Sequence, residues 1–383
     1  MAPAASFPDS PPAPRWLATG AEAYRRMLQA LAAAQSSIRL EYYIYRDDEA
    51  GGQFRAALTA AARRGVRVQV LLDAFGSSAL PTGYWQELVQ SGGQVRSFNP
   101  LTWRLFALRN HRKLLLIDDT LAFIGGFNIG DEYAGDGITR GWRDLGLELA
   151  TPVALRPLAA AFDRMFGASS LRHRMFQRLR RPWRRPRAAG QRCAVLLSGP
   201  RLGHNPFRAN LLRLLKKARH VQIISSYFLP SFRLRQALRQ VVRRGGTVDL
   251  LLAGKSDVPL AHLAGRSRYG MLLKAGVRIW EYQPQVLHSK LAIVDHTVFV
   301  GSSNLDTRSF GINYELMVRF DDAPLAADGR GLFAADQRLA REITYRDWRQ
   351  SQTWHLRLRG MWAAFLLTKV DPWLAHVQLR TFS

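Results

Sequence analysis

The chain has 383 residues and a formal charge of +26, from 55 lysines and arginines against 29 aspartates and glutamates. With 47% hydrophobic residues it holds ample core material, which excludes a disordered basic tail, and its length suits two domains or one large one. A single cysteine, Cys193, excludes an internal disulfide framework and a cysteine-based zinc site. Arginine supplies most of the positive charge, since only seven residues are lysine. A guanidinium's planar fork suits phosphate, and so large an excess points to an anionic partner, either nucleic acid or an anionic membrane.

Residues 1–15 are rich in Ala and Pro and carry Asp9; they read as a disordered N-terminal segment without the basic start and apolar run of an export signal. A first α/β unit is expected over residues 16–169. Within it Ser37-Ile-Arg-Leu-Glu-Tyr-Tyr-Ile44 reads as a strand and a helical stretch follows from Phe54. Ala62-Arg-Arg-Gly-Val-Arg-Val-Gln-Val-Leu-Leu-Asp73 then leads into the next strand. The order recurs over residues 193–350, with Val221-Gln-Ile-Ile-Ser-Ser-Tyr-Phe228, a helical stretch from Phe232, and Val242-Arg-Arg-Gly-Gly-Thr-Val-Asp-Leu-Leu-Leu-Ala253. This self-similarity marks a duplicated α/β fold, with largely parallel strands expected in each half.

The halves join through a basic linker, residues 170–192, in which positions 172–187 gather eight arginines with Pro182 and Pro186. Two prolines at that density argue against a continuous helix. Arg178, Arg181, Trp183, Arg184 and Arg185 are candidates for contact with anionic lipid, a solvated connector being the alternative. In the C-terminal segment, residues 351–383, Trp354, Leu358, Met361, Trp362, Phe365 and Leu366 recur at helical spacing near Arg357, Arg359 and Lys369, and Pro372 ends or kinks the helix. A basic amphipathic helix bearing Trp354 and Trp362 fits a lipid interface, and a terminal helix capping its own domain reads the same. The late apolar run 361–367 is far below the ~20 residues that span a bilayer, so any membrane contact is expected to be peripheral.

Each half places a His and a Lys two residues apart, followed by Asp, Gly and Asn. The first copy is His111-Arg-Lys113-Leu-Leu-Leu-Ile-Asp118, then Gly125-Gly126-Phe-Asn128; the second is His288-Ser-Lys290-Leu-Ala-Ile-Val-Asp295, then Gly301-Ser302-Ser303-Asn304. Alternation along a strand puts His and Lys on one face, where imidazole and ammonium reach one oxyanion together. Asp118 and Asp295, five residues further on, suit turn-stabilising acceptors better than catalysts. The second copy has one residue fewer between its Asp and Gly.

These residues resemble the phospholipase D superfamily, whose signature is two HxKx4D motifs continued by G-G/S-x-N. The likeness runs from about Trp16 to about Phe320. Within the superfamily the chain is most similar to the B-type bacterial cardiolipin synthases, through Leu40-Glu-Tyr-Tyr-Ile-Tyr-Arg-Asp-Asp48, Trp103-Arg-Leu-Phe-Ala-Leu-Arg-Asn-His111 and Trp142-Arg-Asp144. The resemblance implies two tandem phospholipase D-like α/β/α sandwich domains related by a pseudo-twofold, with the active site at their interface. It also implies that one histidine forms a phosphohistidine while the other protonates the departing alcohol and deprotonates the incoming one. We assign His111 as nucleophile and His288 as acid/base; near-symmetry permits the reverse. Asp144 and Glu315 are the orienting carboxylates by the same resemblance. Lys113, Lys290, Asn128 and Asn304 would hold the nonbridging oxygens, with Ser302 and Ser303 candidates for substrate contact, and no metal or other cofactor is expected.

The function expected is phosphatidyl transfer, making cardiolipin from two phosphatidylglycerols with release of glycerol, at the cytoplasmic face of the cell membrane. The partners expected are an anionic phospholipid membrane, phosphatidylglycerol and an alcohol acceptor. A phospholipase D-type hydrolase or a nuclease of the same superfamily is the alternative. Nucleic acid is the less favoured partner, because small nucleases of the superfamily usually carry one motif and dimerise.

Overall fold

A computed structural model describes residues 13–99, 108–169, 192–200, 205–371 and 373. The linker candidates Arg178, Arg181, Trp183, Arg184 and Arg185, together with Pro372, lie outside the described residues. Among the described residues, each half builds one mixed sheet. In the first, the strands are β1 (Arg15–Leu17), β2 (Ser37–Tyr42), β3 (Arg67–Asp73), β4 (Gln94–Phe98), β5 (Leu114–Ile117), β6 (Leu121–Gly125) and β7 (Gly146–Leu149), in the order β1-β7-β6-β5-β2-β3-β4. The second holds β8 (Cys193–Ser198), β9 (His220–Ser225), β10 (Thr247–Ala253), β11 (Arg278–Tyr282), β12 (Lys290–Val294), β13 (Thr297–Gly301), β14 (Glu315–Asp321) and β15 (Ala340–Glu342), in the order β15-β11-β10-β9-β12-β13-β14-β8.

The repeat is local as well as global. Asp48 caps helix Glu49–Arg63 by accepting from the Gly51 amide, and Ser231 caps helix Phe232–Arg243 through the Leu234 amide. Both helices stop at an Arg-Arg-Gly turn, where Gly65 and Gly245 take φ of +88° and +80°, conformations that a side chain would strain. Each turn delivers the chain into a parallel neighbour of the preceding strand, β3 beside β2 and β10 beside β9.

The expectation of largely parallel strands is corrected. Parallel pairing is confined to β2-β3-β4 and β9-β10-β11, and the other neighbours run antiparallel. The reason lies in the connections: a turn of a few residues can join only antiparallel neighbours, since a parallel neighbour needs a long crossover. β5 and β12 therefore turn back through short hairpins into β6 and β13.

Those antiparallel regions face each other. One apolar cluster joins Leu114, Ile124 and Leu147 of the first half to Leu291, Val300 and Leu316 of the second, with Phe162 of helix Pro152–Ser169 and Phe333 of helix Ala323–Gln337. Separate clusters fill the outer face of each sheet beneath its own helices. The sheets are thus covered on both sides, and the central core belongs to both halves. Removing a side chain there should weaken both together. Leu147→Ala, at a fully buried position, is expected to cost about 2–5 kcal/mol and leave one unfolding transition common to both halves. Thermal unfolding followed by a probe in each half checks this, and separate midpoints would contradict it.

Candidate active site

The two motifs meet across the interface between the halves. His111 and His288 stand just ahead of β5 and β12, on extended backbone that pairs with the opposite half: the His111 amide donates to the Tyr314 carbonyl at 2.9 Å and the His288 amide to the Arg143 carbonyl at 2.7 Å. Tyr314 and Arg143 immediately precede Glu315 and Asp144. Main-chain pairing therefore aims each carboxylate at the other half's histidine. His111 Nδ1 lies 3.0 Å from Glu315 Oε2, and His288 Nδ1 lies 2.6 Å from Asp144 Oδ2. Both carboxylates are completely buried.

Burial alone would push both carboxyl groups up, but the histidines, the nearby lysines and the hydrogen bonds outweigh it and hold Asp144 and Glu315 below the usual range. Each is therefore an anionic acceptor, which places the imidazole proton on Nδ1 and leaves the Nε2 lone pair for chemistry. Burial pushes both histidines down to about 4 against the pull of their carboxylates, and the lysines' charges act in the same direction as burial. Both imidazoles are thus neutral in the free site.

Lys113 donates to the His111 carbonyl at 2.9 Å, and Lys290 donates to the His288 carbonyl and, at 3.2 Å, to Ser226 Oγ. Both ammoniums are buried; burial lowers Lys290 to about 8, opposed by Asp144 and Glu315, and holds Lys113 well below its ordinary value, where the charge of Lys290 adds to the effect. Asn128 and Asn304 are buried as well. Asn128 accepts from the Ile44 amide and donates to Tyr133 Oη, while Asn304 Oδ1 is buried without a partner.

Of the two expected substrate contacts, Ser302 donates to Glu315 Oε2 at 2.5 Å, and Ser303 Oγ donates to the Asn304 carbonyl. The corresponding position in the first half is Gly126, where a Cβ would stand 2.1 Å from Asp144 Oδ1. Small residue and short acid go together in one half, hydroxyl and longer acid in the other. The shorter motif spacing in the second half is absorbed in the hairpin turn, residues 295–296 against 118–120, so Gly301 reaches the same register against β14 that Gly125 has against β7. Asp118 and Asp295 lie in those turns. Asp118 accepts from the amides of Gln35, Ser36 and Ser37, and Asp295 from those of Arg219 and His220, tying each hairpin to the start of β2 or β9.

Several neighbours carry no site role in the sequence reading. Tyr43 packs edge-on to His111 at 4.9 Å, and Tyr133 and Trp142 flank His288 at 5.3 and 5.5 Å. Arg143 holds the Asp144 loop through a buried ion pair with Asp336 at 2.7 Å. Behind His111, Glu41 accepts from Asn110 at 2.7 Å and faces the buried Arg112 at 3.9 Å. An acid inside an apolar strand run was the available signal for Glu41, because a buried charge demands a partner. The register puts Ile224 at the equivalent place in the second half, so this cluster has no counterpart there. Among the described residues no group of three or more His, Cys, Asp or Glu converges as metal ligands.

Comparisons with known proteins agree with the duplicated fold. The family profile described as "Cardiolipin synthase, PLD-like domain" matches residues 27–166 and 211–337. The chain belongs to this cardiolipin synthase family of the phospholipase D superfamily. Cardiolipin synthase B of Escherichia coli K12 is 34% identical over 339 residues, covering 84% of this chain and 80% of that one. The major cardiolipin synthase of Bacillus subtilis is 33% identical over 344 residues, covering 88% and 71%. The crystal structure of phosphatidylserine synthase from Haemophilus influenzae shares the fold at 14% identity, with a TM-score of 0.77 and 94% of each chain covered.

In this member of the cardiolipin synthase family, adding the methyl group in Gly126→Ala should push the Asp144 carboxylate off His288 while leaving the distant hairpin contacts of Asp118 intact. Turnover is expected to fall about tenfold or more with the fold retained, checked by activity beside circular dichroism. The lysines predict a pH dependence of anion binding. Lys290 is cationic below about 8 and neutral above it, so affinity for an unreactive phosphodiester should fall as pH rises through 8, by up to about tenfold per pH unit. Calorimetric titration from pH 6 to pH 10 tests this, and a flat profile would contradict it.

Proposed function

We propose that this protein makes cardiolipin by moving the phosphatidyl group of one phosphatidylglycerol onto the terminal hydroxyl of a second, with glycerol released. Membership of the cardiolipin synthase family supports the reaction class. The observation that carries the mechanism is the crossed pairing of His111 with Glu315 and His288 with Asp144, with the charges of both carboxylates acting on both lysines.

In this reading Nε2 of His111 attacks phosphorus. The bond to glycerol breaks and the departing oxygen takes a proton from His288. The acceptor hydroxyl then attacks the phosphohistidine, giving its proton to His288 and releasing His111. A bound phosphodiester adds negative charge beside the imidazoles and raises their affinity for the one proton this cycle needs. His288 is the better seat for it, because its carboxylate is nearer, 2.6 Å against 3.0 Å, and a short charge-assisted bond favours the imidazolium. The positive charge of Lys113 and Lys290 would stabilise the phosphorane oxygens, and the amides of Asn128 and Asn304 would add hydrogen bonds. The acceptor decides between transfer and hydrolysis, since water attacking the same intermediate would yield phosphatidic acid.

No helix among the described residues is long and apolar enough to cross a membrane. A peripheral association with the cytoplasmic face, drawn by the +26 charge to anionic lipid, is the placement we infer. His111→Ala and His288→Ala should each lower cardiolipin formation from phosphatidylglycerol vesicles by about 10³-fold or more, measured by mass spectrometry of the lipid products in buffer containing EDTA. Wild-type rates in both variants, or faster cleavage of added DNA than of lipid by the native protein, would contradict the proposal.

A further inference from the structure

Helix Trp354–Phe365 is apolar on two opposite faces. One packs inward: Gly360, Ala363 and Ala364 are buried, the helix lies against Pro259–Arg266, and Ala363 and Ala364 form a small cluster with Ala264 and Leu229. The other is left exposed among the described residues. At 3.6 residues per turn, Trp354, Leu358, Met361, Trp362, Phe365 and Leu366 project into one arc of about 140°, and all six are exposed, Trp354 and Trp362 by 65% and 64%. Arg357 and Arg359, both exposed, stand at the two borders of that arc, with exposed Lys369 one turn beyond Phe365. An ordinary surface helix differs: Phe232–Arg243 turns Arg233, Gln236, Arg239, Gln240 and Arg243 away from its buried Leu234, Leu238 and Val241. The terminal helix therefore does more than cap its domain.

We propose that this arc is the surface by which the protein docks on an anionic phospholipid bilayer, with the ring systems at the headgroup level and Arg357 and Arg359 on lipid phosphates. The occupant follows from the apolar face bordered by guanidinium groups, which is complementary to acyl chains beneath phosphate. Its position agrees. Arg308, on helix Thr307–Gly311 directly after Asn304 and Asp306, pairs with Asp371 at 2.5 Å, and Leu229, which the helix packs on, pairs its amide with the Leu305 carbonyl three residues beyond Ser226, the partner of Lys290. Docking there sets the end of the sheet that carries the catalytic lysine against the layer where the substrate phosphates lie. This rests on the phosphatidyl transfer reading and names the surface that brings that site to its substrate.

The test uses the full chain and the exposed-site variant Trp362→Glu/Phe365→Glu, with Arg357→Gln/Arg359→Gln as a second variant. Flotation with vesicles of phosphatidylglycerol and phosphatidylcholine measures binding; turnover is read on the same vesicles and on monomeric short-chain phosphatidylglycerol. The expected result is at least about tenfold weaker vesicle binding and vesicle turnover for both variants, with short-chain turnover unchanged. Unchanged flotation, or equal losses on short-chain and vesicle substrate, would overturn the proposal. So would a native dimer that becomes monomeric in the glutamate variant, which would make the face a contact between copies of this chain. If the native protein acts on neither lipid form yet floats through this face, the catalytic reading fails and the docking surface stands.

Discussion

Asp144 and Glu315 are anionic carboxylates with no exposure to water, and the rest of the structure is arranged to make that tolerable. Taking such a group out of water costs several kcal/mol unless a hydrogen-bonded, oppositely polarised partner meets it. Each half supplies only part of this for its own carboxylate, the Leu145 amide for Asp144 and the Ser302 hydroxyl for Glu315; the imidazole and ammonium partners come from the other half, His288 and Lys290 for Asp144 and His111 and Lys113 for Glu315. The halves must therefore be docked for either carboxylate to be stable as an anion. The reciprocal backbone bonds at His111 and His288, the Arg143–Asp336 ion pair and the shared apolar core all hold that docking in place.

The pseudo-twofold is broken in ways that give the two histidines different surroundings. Asp144 is the shorter acid and sits against Gly126, while the longer Glu315 is braced by Ser302. Lys113 lies over the Tyr43 ring at 5.2 Å, where Lys290 has a hydroxyl, Ser226. Glu41, Arg112 and Asn110 form a buried polar cluster behind His111 alone. A duplicated site that needed two identical histidines would have no use for these differences. The proposed reaction, in which one imidazole would bind phosphorus and the other carry a proton, asks for different surroundings at the two histidines.

Much of this was legible in the amino-acid sequence, because the repeat is written in residues that carry strict local demands. Gly65 and Gly245 end helices in conformations few side chains adopt, and the strand runs on either side are unbroken enough to place β2, β3, β9 and β10. His111, Lys113, His288 and Lys290 were visible as a pattern for the same reason. The antiparallel half of each sheet was not, since periodicity reports which face a strand buries and says little about its neighbour's direction. The crossing of the pairs was also hidden: both carboxylates stand at strand starts, and only the long-range pairing of Asn110 with Tyr314 and of Arg143 with Leu287 decides which histidine each one meets. The bond from Ser302 to Glu315 was hidden for a related reason, because a hydroxyl in a motif does not declare that it meets the acid behind it.

The central claim is that one active site is assembled from both halves by crossed histidine–carboxylate bonds, and the imidazole protons report it directly. In protein labelled with ¹⁵N-histidine, the Nδ1 protons of His111 and His288 should resonate far downfield, each coupled to its own ring nitrogen. Glu315→Gln should shift the His111 proton and leave that of His288 in place, and Asp144→Asn should do the reverse. If instead each substitution moved the signal of the histidine in its own half, the carboxylates would not cross between the halves and the account would be wrong.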